Sequence, residues 1–187
     1  MKRYKLKDGK KVIIKSKRNI PKKKTVQNIF SQLPDSPKIP IVFQTKKQYL
    51  NEYIDNQEKK HGIDFPKHQE KAYIQKELKN MANITSRYTT KKNPYMKPRT
   101  VFFTDKDIKW SPNMFKQNAQ HEVGHEIFER NPIIRKYWKG VNKSNSPTSY
   151  GRTDEEEDFA ESYMLFKNGQ LKDKNKKRHK ILKRLKK

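Results

Sequence analysis

Two histidines separated by four residues, His121 and His125, are the side chains of this sequence best spaced for chemistry. Ser111-Pro112 predicts the start of a helix that runs to about Arg130, since serine is a common N-cap and proline suits the first helical position. Residues four apart lie on one side of a helix, so both imidazoles can bind one zinc ion at about 2.0–2.1 Å. Glu122 can reach a water on that ion without binding the ion itself. The alternative is a chance pair of packed histidines, because the five-residue pattern arises by accident in roughly one sequence of a hundred.

A zinc site of this kind needs a third protein ligand, and the residue six positions after His125 is not a histidine. Carboxylates further along the chain are better candidates. Thr153 and Glu156 form a capping-box pattern, which predicts the start of a second helix. On that helix Glu157 and Glu161 share a face. Glu157 can therefore bind the ion, and Glu161 can accept a hydrogen bond from the back of a ligand histidine.

Small residues predict how closely the two helices approach. Gly124 costs a helix about 1 kcal/mol relative to alanine, which indicates a close neighbour at that turn. Ala160, on the face of Glu157 and Glu161, is small enough to provide one. The alternative is that the acidic residues 154–158 only complement the positive end of the helix dipole. That alternative accounts for residues 154–156. It does not account for the carboxylates of Glu157 and Glu161, which share the apolar face of the helix.

Tyr150 lies between the two helices, after the loop Ser146-Pro147-Thr148-Ser149. This loop should pass over the first helix before the second helix begins. A phenol in that position can donate a hydrogen bond to an oxyanion, which is a large term in many acyl-transfer barriers. From the residues alone, a loop aromatic that packs on the core is an equal alternative.

The combination of these motifs resembles a known family. Ser149-Tyr150-Gly151-Arg152-Thr153, continuing through Glu157-Asp158-Phe159-Ala160-Glu161, is similar to the zinc metallopeptidases related to the catalytic domain of anthrax lethal factor, which include the Pro-Pro endopeptidases. The similarity extends back through residues 121–126 and covers roughly residues 100–167. The sequence departs from the family at Asp158, where an aromatic residue is common.

The resemblance implies a zincin-like α+β fold, with a small mixed sheet packed on the active-site helix and a second helix that carries a ligand. It implies one zinc ion per chain and six site residues: the ligands His121, His125 and Glu157, the general base Glu122, the oxyanion donor Tyr150 and the supporting Glu161. The expected function is a zinc-dependent endopeptidase that hydrolyses peptide bonds of a protein substrate through a zinc-activated water.

Other elements must position these residues. Asp8-Gly9 predicts a hairpin between short strands at 4–7 and 12–14. Apolar and β-branched runs predict strands at 39–43 and 100–104, and helical spacing predicts helices at 46–60 and 68–81. Residues 83–98 are polar and interrupted by proline, which predicts a loop or an irregular strand.

Positive charge is concentrated at the two ends of the chain. The 187 residues include 46 basic and 20 acidic ones, for a net charge of +26, of which residues 1–24 carry +11 and residues 167–187 carry +10. We therefore expect a basic N-terminal arm over 1–24, a metallopeptidase domain over 25–167 and a basic C-terminal tail over 168–187. Such arms suit a nucleic acid or another polyanion, because lysine and arginine release counterions from phosphates. The alternative is that they are solvated tails.

The composition also excludes several classes of protein. There is no cysteine, which removes disulfides, thiol catalysis and cysteine-bound zinc. No apolar run reaches the length of about 18 residues that a transmembrane helix needs, and Val12–Ile14 is too short for a signal peptide. We therefore expect a cytoplasmic or virus-associated protein. The alternative function is a basic nucleic-acid-binding or virion-associated protein whose metalloprotease-like core is secondary or inactive.

Overall fold

A computed structural model describes residues 1–16, 18–33, 39–90, 92–171 and 175–186. These residues form five strands and seven α-helices, which confirms the expected α+β class. The strands are β1 (Lys2–Lys5), β2 (Lys11–Ile14), β3 (Ile41–Gln44), β4 (Ser86–Thr89) and β5 (Arg99–Phe103). The helices are α1 (Lys23–Ser31), α2 (Lys46–His61), α3 (Lys67–Asn80), α4 (Pro112–Arg130), α5 (Pro132–Trp138), α6 (Glu155–Lys167) and α7 (Lys176–Lys183). The chain divides into a first unit, Met1–Lys24 with Lys38–Ser111, and a second unit, Thr25–Pro37 with Pro112–Lys187.

The first unit contains a small mixed sheet with the strand order β1-β2-β3-β5-β4. Strands β2, β3 and β5 are parallel, and the flanking strands β1 and β4 are antiparallel to their neighbours. The interior strands are continuous apolar runs, Ile41–Phe43 and Val101–Phe103, because both of their faces are buried. The sheet ends at β1 and β4. Strand β5 is therefore an interior strand, and the polar segment 83–98 supplies the edge strand β4.

Helix α2 belongs to the same unit and has a clear signal at each end. Thr45 and Gln48 form a capping box, and Gly62 ends the helix in the left-handed region with φ 63°. Tyr49 packs edge-on against Phe103 of β5, with ring centroids 5.8 Å apart. The helix predicted at 46–60 is thus confirmed, and it extends one residue further, to His61.

The basic N-terminal segment contains two strands of the sheet. Strands β1 and β2 pair as the predicted hairpin, with Lys2 opposite Ile14, and Gly9 takes φ 85° in the turn. Strand β2 then pairs with β3, and Val12 is fully buried. Within β2, Lys11 is exposed, Val12 belongs to the core, and Ile13 and Ile14 are half-buried.

The second unit is built on the contact between α4 and α6. A Cβ added to Gly124 would lie 2.7 Å from the Cα of Ala160, so the predicted close approach of these two helices is confirmed. Around this contact the core is aromatic, with Phe115, Trp138 and Phe159 fully buried. Helix α4 begins at Pro112 and ends at Arg130, as predicted.

The first turn of α6 differs from the prediction in its capping residue. Asp154, and not Thr153, is the N-cap, and its carboxylate accepts hydrogen bonds from the backbone of Glu156 and Glu157. Thr153 instead donates its hydroxyl to the carbonyl of Tyr150, at 2.8 Å. A carboxylate satisfies two orphan N–H groups and also carries the charge that a helix N-terminus favours.

Helix α7 lies in the segment expected to be a basic tail. Arg178, Ile181 and Leu182 are buried on one side of it, at the spacing of a helix that packs on a core. Helix α5 was also not predicted, although Asn131 caps it and Pro132 takes its first position. Among the described residues, none of the helices combines the length and the apolar character that a membrane crossing requires.

Candidate metal centre

Three side chains from two helices of the second unit converge on one point. Helix α4 presents His121 and His125 one turn apart, and their Nε2 atoms face each other at 2.9 Å. Helix α6 brings Oε2 of Glu157 to 3.2 Å from Nε2 of His121 and to 3.3 Å from Nε2 of His125. These three residues could therefore hold a metal ion.

The far side of each imidazole meets a carboxylate. Nδ1 of His121 lies 2.9 Å from Oε1 of Glu161, and Nδ1 of His125 lies 3.1 Å from Oε1 of Glu156. A carboxylate at Nδ1 favours the tautomer with its proton there, which leaves the lone pair on Nε2. The two lone pairs would then point at each other and at Glu157. Such an arrangement is favourable only with a proton or a cation between them.

The spacing of the three atoms fits a metal ion. Ligand atoms bound tetrahedrally at about 2.0–2.1 Å are about 3.3 Å from one another. The observed separations, from 2.9 to 3.3 Å, are close to this value. Two imidazole nitrogens with one carboxylate oxygen are also a donor set that transition metals accept, with a position left open for a water or a substrate.

The acidic neighbours favour the protonated form of both histidines. Burial alone would lower the pKa of His121, but the carboxylates of Glu157 and Glu161, 3.2 and 2.9 Å from its ring nitrogens, outweigh burial and raise the pKa to about 9. Burial is likewise outweighed at His125, where Glu156 and Glu157 raise the pKa to about 10. Burial opposes the ionisation of Glu157, yet the two histidines hold the pKa of Glu157 well below its usual range. A metal ion would have to displace these protons.

Tyr150 lies beside the three converging atoms, and Glu122 is near enough for its charge to act on both histidines. The hydroxyl of Tyr150 donates to Oε1 of Glu157 at 3.1 Å, and its ring lies 6.0 Å from that of His121. Burial and then the charge of Glu157 raise the pKa of Tyr150, so the phenol keeps its proton. Glu122 is almost completely buried on α4, and its charge helps to raise the pKa of His121 and of His125.

All six residues predicted for the site are thus brought together in the second unit. Glu156 was missed, because a position in the first turn of α6 had been explained by the helix dipole. A signal for it was present: each ligand histidine usually donates its other ring N–H to an acceptor, often a carboxylate, and Glu161 can serve only one of the two.

Asp158 stands where the family that this sequence resembles commonly has an aromatic residue, and its contacts are polar. It is completely buried, accepts from the indole N–H of Trp138 at 3.0 Å and forms an ion pair with Arg178 at 3.0 Å. No short-range pattern predicts Arg178, which lies 20 residues further along the chain.

No family model, no curated protein sequence and no solved structure matches this chain. The candidate centre therefore rests on geometry. Within the part of the chain that the structure describes, His121, His125 and Glu157 are the one group of three His, Asp or Glu side chains whose ligand atoms lie close enough to share an ion.

Proposed function

We propose that this chain is a zinc-dependent endopeptidase with a zincin-type centre. The observation that carries the proposal is the convergence of Nε2 of His121, Nε2 of His125 and Oε2 of Glu157 to within 2.9–3.3 Å of one another. Zinc is preferred because it takes such nitrogen and oxygen ligands in tetrahedral geometry and leaves one position open in catalytic sites.

A bound zinc ion would supply a Lewis acid and a water with a pKa near 7. Glu122, next to the first ligand, would accept a proton from this water and pass it to the leaving amine. Glu156 and Glu161 would keep the Nδ1 protons in place, so that both Nε2 lone pairs face the centre.

Tyr150 would act on the other side of the scissile bond. Its hydroxyl is kept protonated and lies on an exposed side chain, 54% accessible, so it can turn from Glu157 towards a substrate. There it would donate a hydrogen bond to the carbonyl oxygen as negative charge develops. The substrate class is a peptide or an unstructured protein segment.

The test combines metal content with one substitution. We expect about one zinc per purified chain, and cleavage of an unfolded protein that stops with a chelator and returns with zinc. Glu122→Gln should keep the zinc but lower kcat/KM by at least about a hundredfold, the usual contribution of a general base. Glu129→Gln, on the same helix, is the matched control. A Glu122→Gln protein that cleaves at the wild-type rate would contradict the assignment.

A second candidate function, the binding of a nucleic acid or another polyanion, is favoured by one observation in the first unit. Lys5 and Lys11 lie directly opposite each other in the β1–β2 hairpin, on the same face as Arg3, and all three are exposed. Like charges in opposite positions of a ladder are destabilising unless an anion lies between them. We call Arg3, Lys5 and Lys11 the basic hairpin surface. This function predicts binding that weakens steeply with salt.

A further inference from the structure

We infer that Arg178 is a positioning residue for the metal centre, although it lies in the segment whose composition indicates a basic tail. Its guanidinium, on α7, holds both the helix that carries Glu157 and the loop that carries Tyr150. The inference rests on the metal centre proposed above. It assigns to the C-terminal segment a role in the chemistry of the site that is separate from binding polyanions.

The first half of this arrangement is a buried ion pair with α6. Nε of Arg178 lies 3.2 Å from both carboxylate oxygens of Asp158, and NH2 lies 3.0 Å from Oδ2. Trp138 donates its indole N–H to the same Oδ2 at 3.0 Å. Asp158 is completely buried and the Arg178 side chain is only 5% exposed. Asp158 follows Glu157 in α6, so the ion pair anchors the turn of the helix that carries the metal ligand.

The second half of the arrangement reaches the loop before α6. NH2 of Arg178 donates to the carbonyl of Asn142 at 2.9 Å, and NH1 donates to the carbonyl of Asn145 at 3.1 Å. NH1 also donates to the side chain of Asn175 at 3.1 Å. With the bonds to Asp158, the guanidinium has five acceptors for its five N–H groups.

The loop carries this constraint to Tyr150. Gly151, the next residue, packs so tightly that a Cβ would clash with the hydroxyl of Ser146 and lie 3.2 Å from the Cα of Asp158. The backbone N–H of Gly151 donates to Oγ1 of Thr148 at 3.0 Å. Tyr150 therefore sits on a segment fixed at one end by Arg178 and on its flank by Asp158.

Charge alone does not explain why an arginine occupies this position. A buried ion pair is weak evidence for stability, because well-packed apolar residues often serve as well. The planar guanidinium of Arg178 uses all of its N–H donors, so it fixes the directions of its hydrogen bonds as well as their lengths. A lysine ammonium cannot reproduce this arrangement. The geometry points to a role in holding the loop at a fixed position against α6. That position sets the 3.1 Å contact between the hydroxyl of Tyr150 and Glu157.

The experiment titrates Co2+ into the full-length, chelator-treated protein and records the visible d–d absorption, which reports the coordination of the ion. Arg178→Met and Arg178→Lys should weaken Co2+ binding by about tenfold to a hundredfold, as for other groups that support ligands, and should alter the spectrum. Lys180→Met, on the exposed side of α7, removes the same charge and should leave both unchanged. Near-ultraviolet circular dichroism checks that each variant is folded.

Each outcome decides the inference. Wild-type affinity and spectrum in Arg178→Met would overturn it. If both Arg178 variants lack folded structure with and without Co2+, Arg178 acts in folding alone and the inference also fails. If Lys180→Met is as impaired as Arg178→Met, the effect is one of net charge and the positioning role is lost. A wild-type protein that shows no Co2+ absorption would instead contradict the proposed metal centre itself.

Discussion

The two histidines of the centre hold protons for the same reason that they would hold a cation. Three carboxylates surround them, and the pKa of His121 is raised to about 9 and that of His125 to about 10 in spite of burial. Protons and a metal ion must therefore compete for the Nε2 atoms. Glu156 and Glu161 would remain in place in either state, because each contacts the opposite nitrogen.

This competition predicts opposite pH trends with and without metal. When a chelator keeps the protein free of metal, the two protonated histidines contribute to the free energy of unfolding. This contribution is fully present below about pH 6.5, their ordinary pKa, and is lost as the pH rises through about 9–10. The sign follows because the unfolded chain gives up these protons first. The stabilisation produced by added zinc should instead grow with pH.

Urea unfolding at several pH values, with chelator or with excess zinc, measures both trends. His125→Gln should reduce both of them, and His68→Gln, an exposed histidine on α3, should reduce neither. A chelator-treated wild type whose stability is flat between pH 6.5 and 9 would contradict the buried histidine–carboxylate cluster.

At the scale of elements, the centre depends on how closely α4 and α6 approach. Gly124 lies against the backbone of Ala160, so the helix that carries the histidines and the helix that carries Glu157 touch without an intervening side chain. The ligand atoms lie one turn or less from this contact along each helix. A small increase in helix separation would therefore open the centre.

Gly124→Ala tests this dependence. Helix propensity alone would make the substitution stabilising by about 1 kcal/mol. The new Cβ would lie 2.7 Å from the Cα of Ala160, a backbone atom that cannot move by itself, and overpacking of this kind costs about 1–3 kcal/mol. We expect a net loss of stability of about 1 kcal/mol in urea unfolding, together with weaker zinc binding. Gly140→Ala, which has room for a Cβ at 3.6 Å from its neighbour, is the control.

The elements differ in how well the sequence predicts them, and the reason is the range of the interactions that form them. Helix α4 has its signals within itself, and Gly124 even indicates a close neighbour. Helix α7 could not be predicted from the sequence, because its buried face includes Arg178. A charged residue in a basic segment indicates a solvated tail, and only the distant partner Asp158 explains its burial. Strand β4 lies in a polar segment and is formed by pairing with β5.

Individual side chains of the site differ in the same way. His121, His125 and Glu157 follow from spacing along a helix, which is a local property. Glu156 was interpreted from its local position at a helix N-terminus, but its contact with His125 spans 31 residues. Local rules identify groups that can do chemistry, and tertiary contacts decide which of two adjacent glutamates supports a ligand.

For the whole molecule, the positive charge is divided unequally between the two units. The first unit, Met1–Lys24 with Lys38–Ser111, contains 28 basic and 9 acidic residues and so carries +19 of the total +26. The second unit has the acidic residues around the candidate centre. Because β1 and β2 belong to the sheet, deleting residues 1–24 would remove two strands as well as the charge. Polyanion binding must therefore be tested by substitution.

Neutralising the basic hairpin surface separates specific polyanion binding from an effect of net charge. Arg3→Gln, Lys5→Gln and Lys11→Gln together should weaken the binding of a DNA duplex and reduce the slope of log K against log salt by about 2–3, since each lost phosphate contact contributes about 0.9. The control neutralises three exposed lysines of α3 in the same unit, Lys71, Lys76 and Lys79. It removes the same charge and should leave the slope nearly unchanged. The two triple variants lose the same charge, so a duplex bound on the basic hairpin surface should respond only to the variant that changes this surface. Equal losses of affinity in the two variants would therefore mean that only net charge matters.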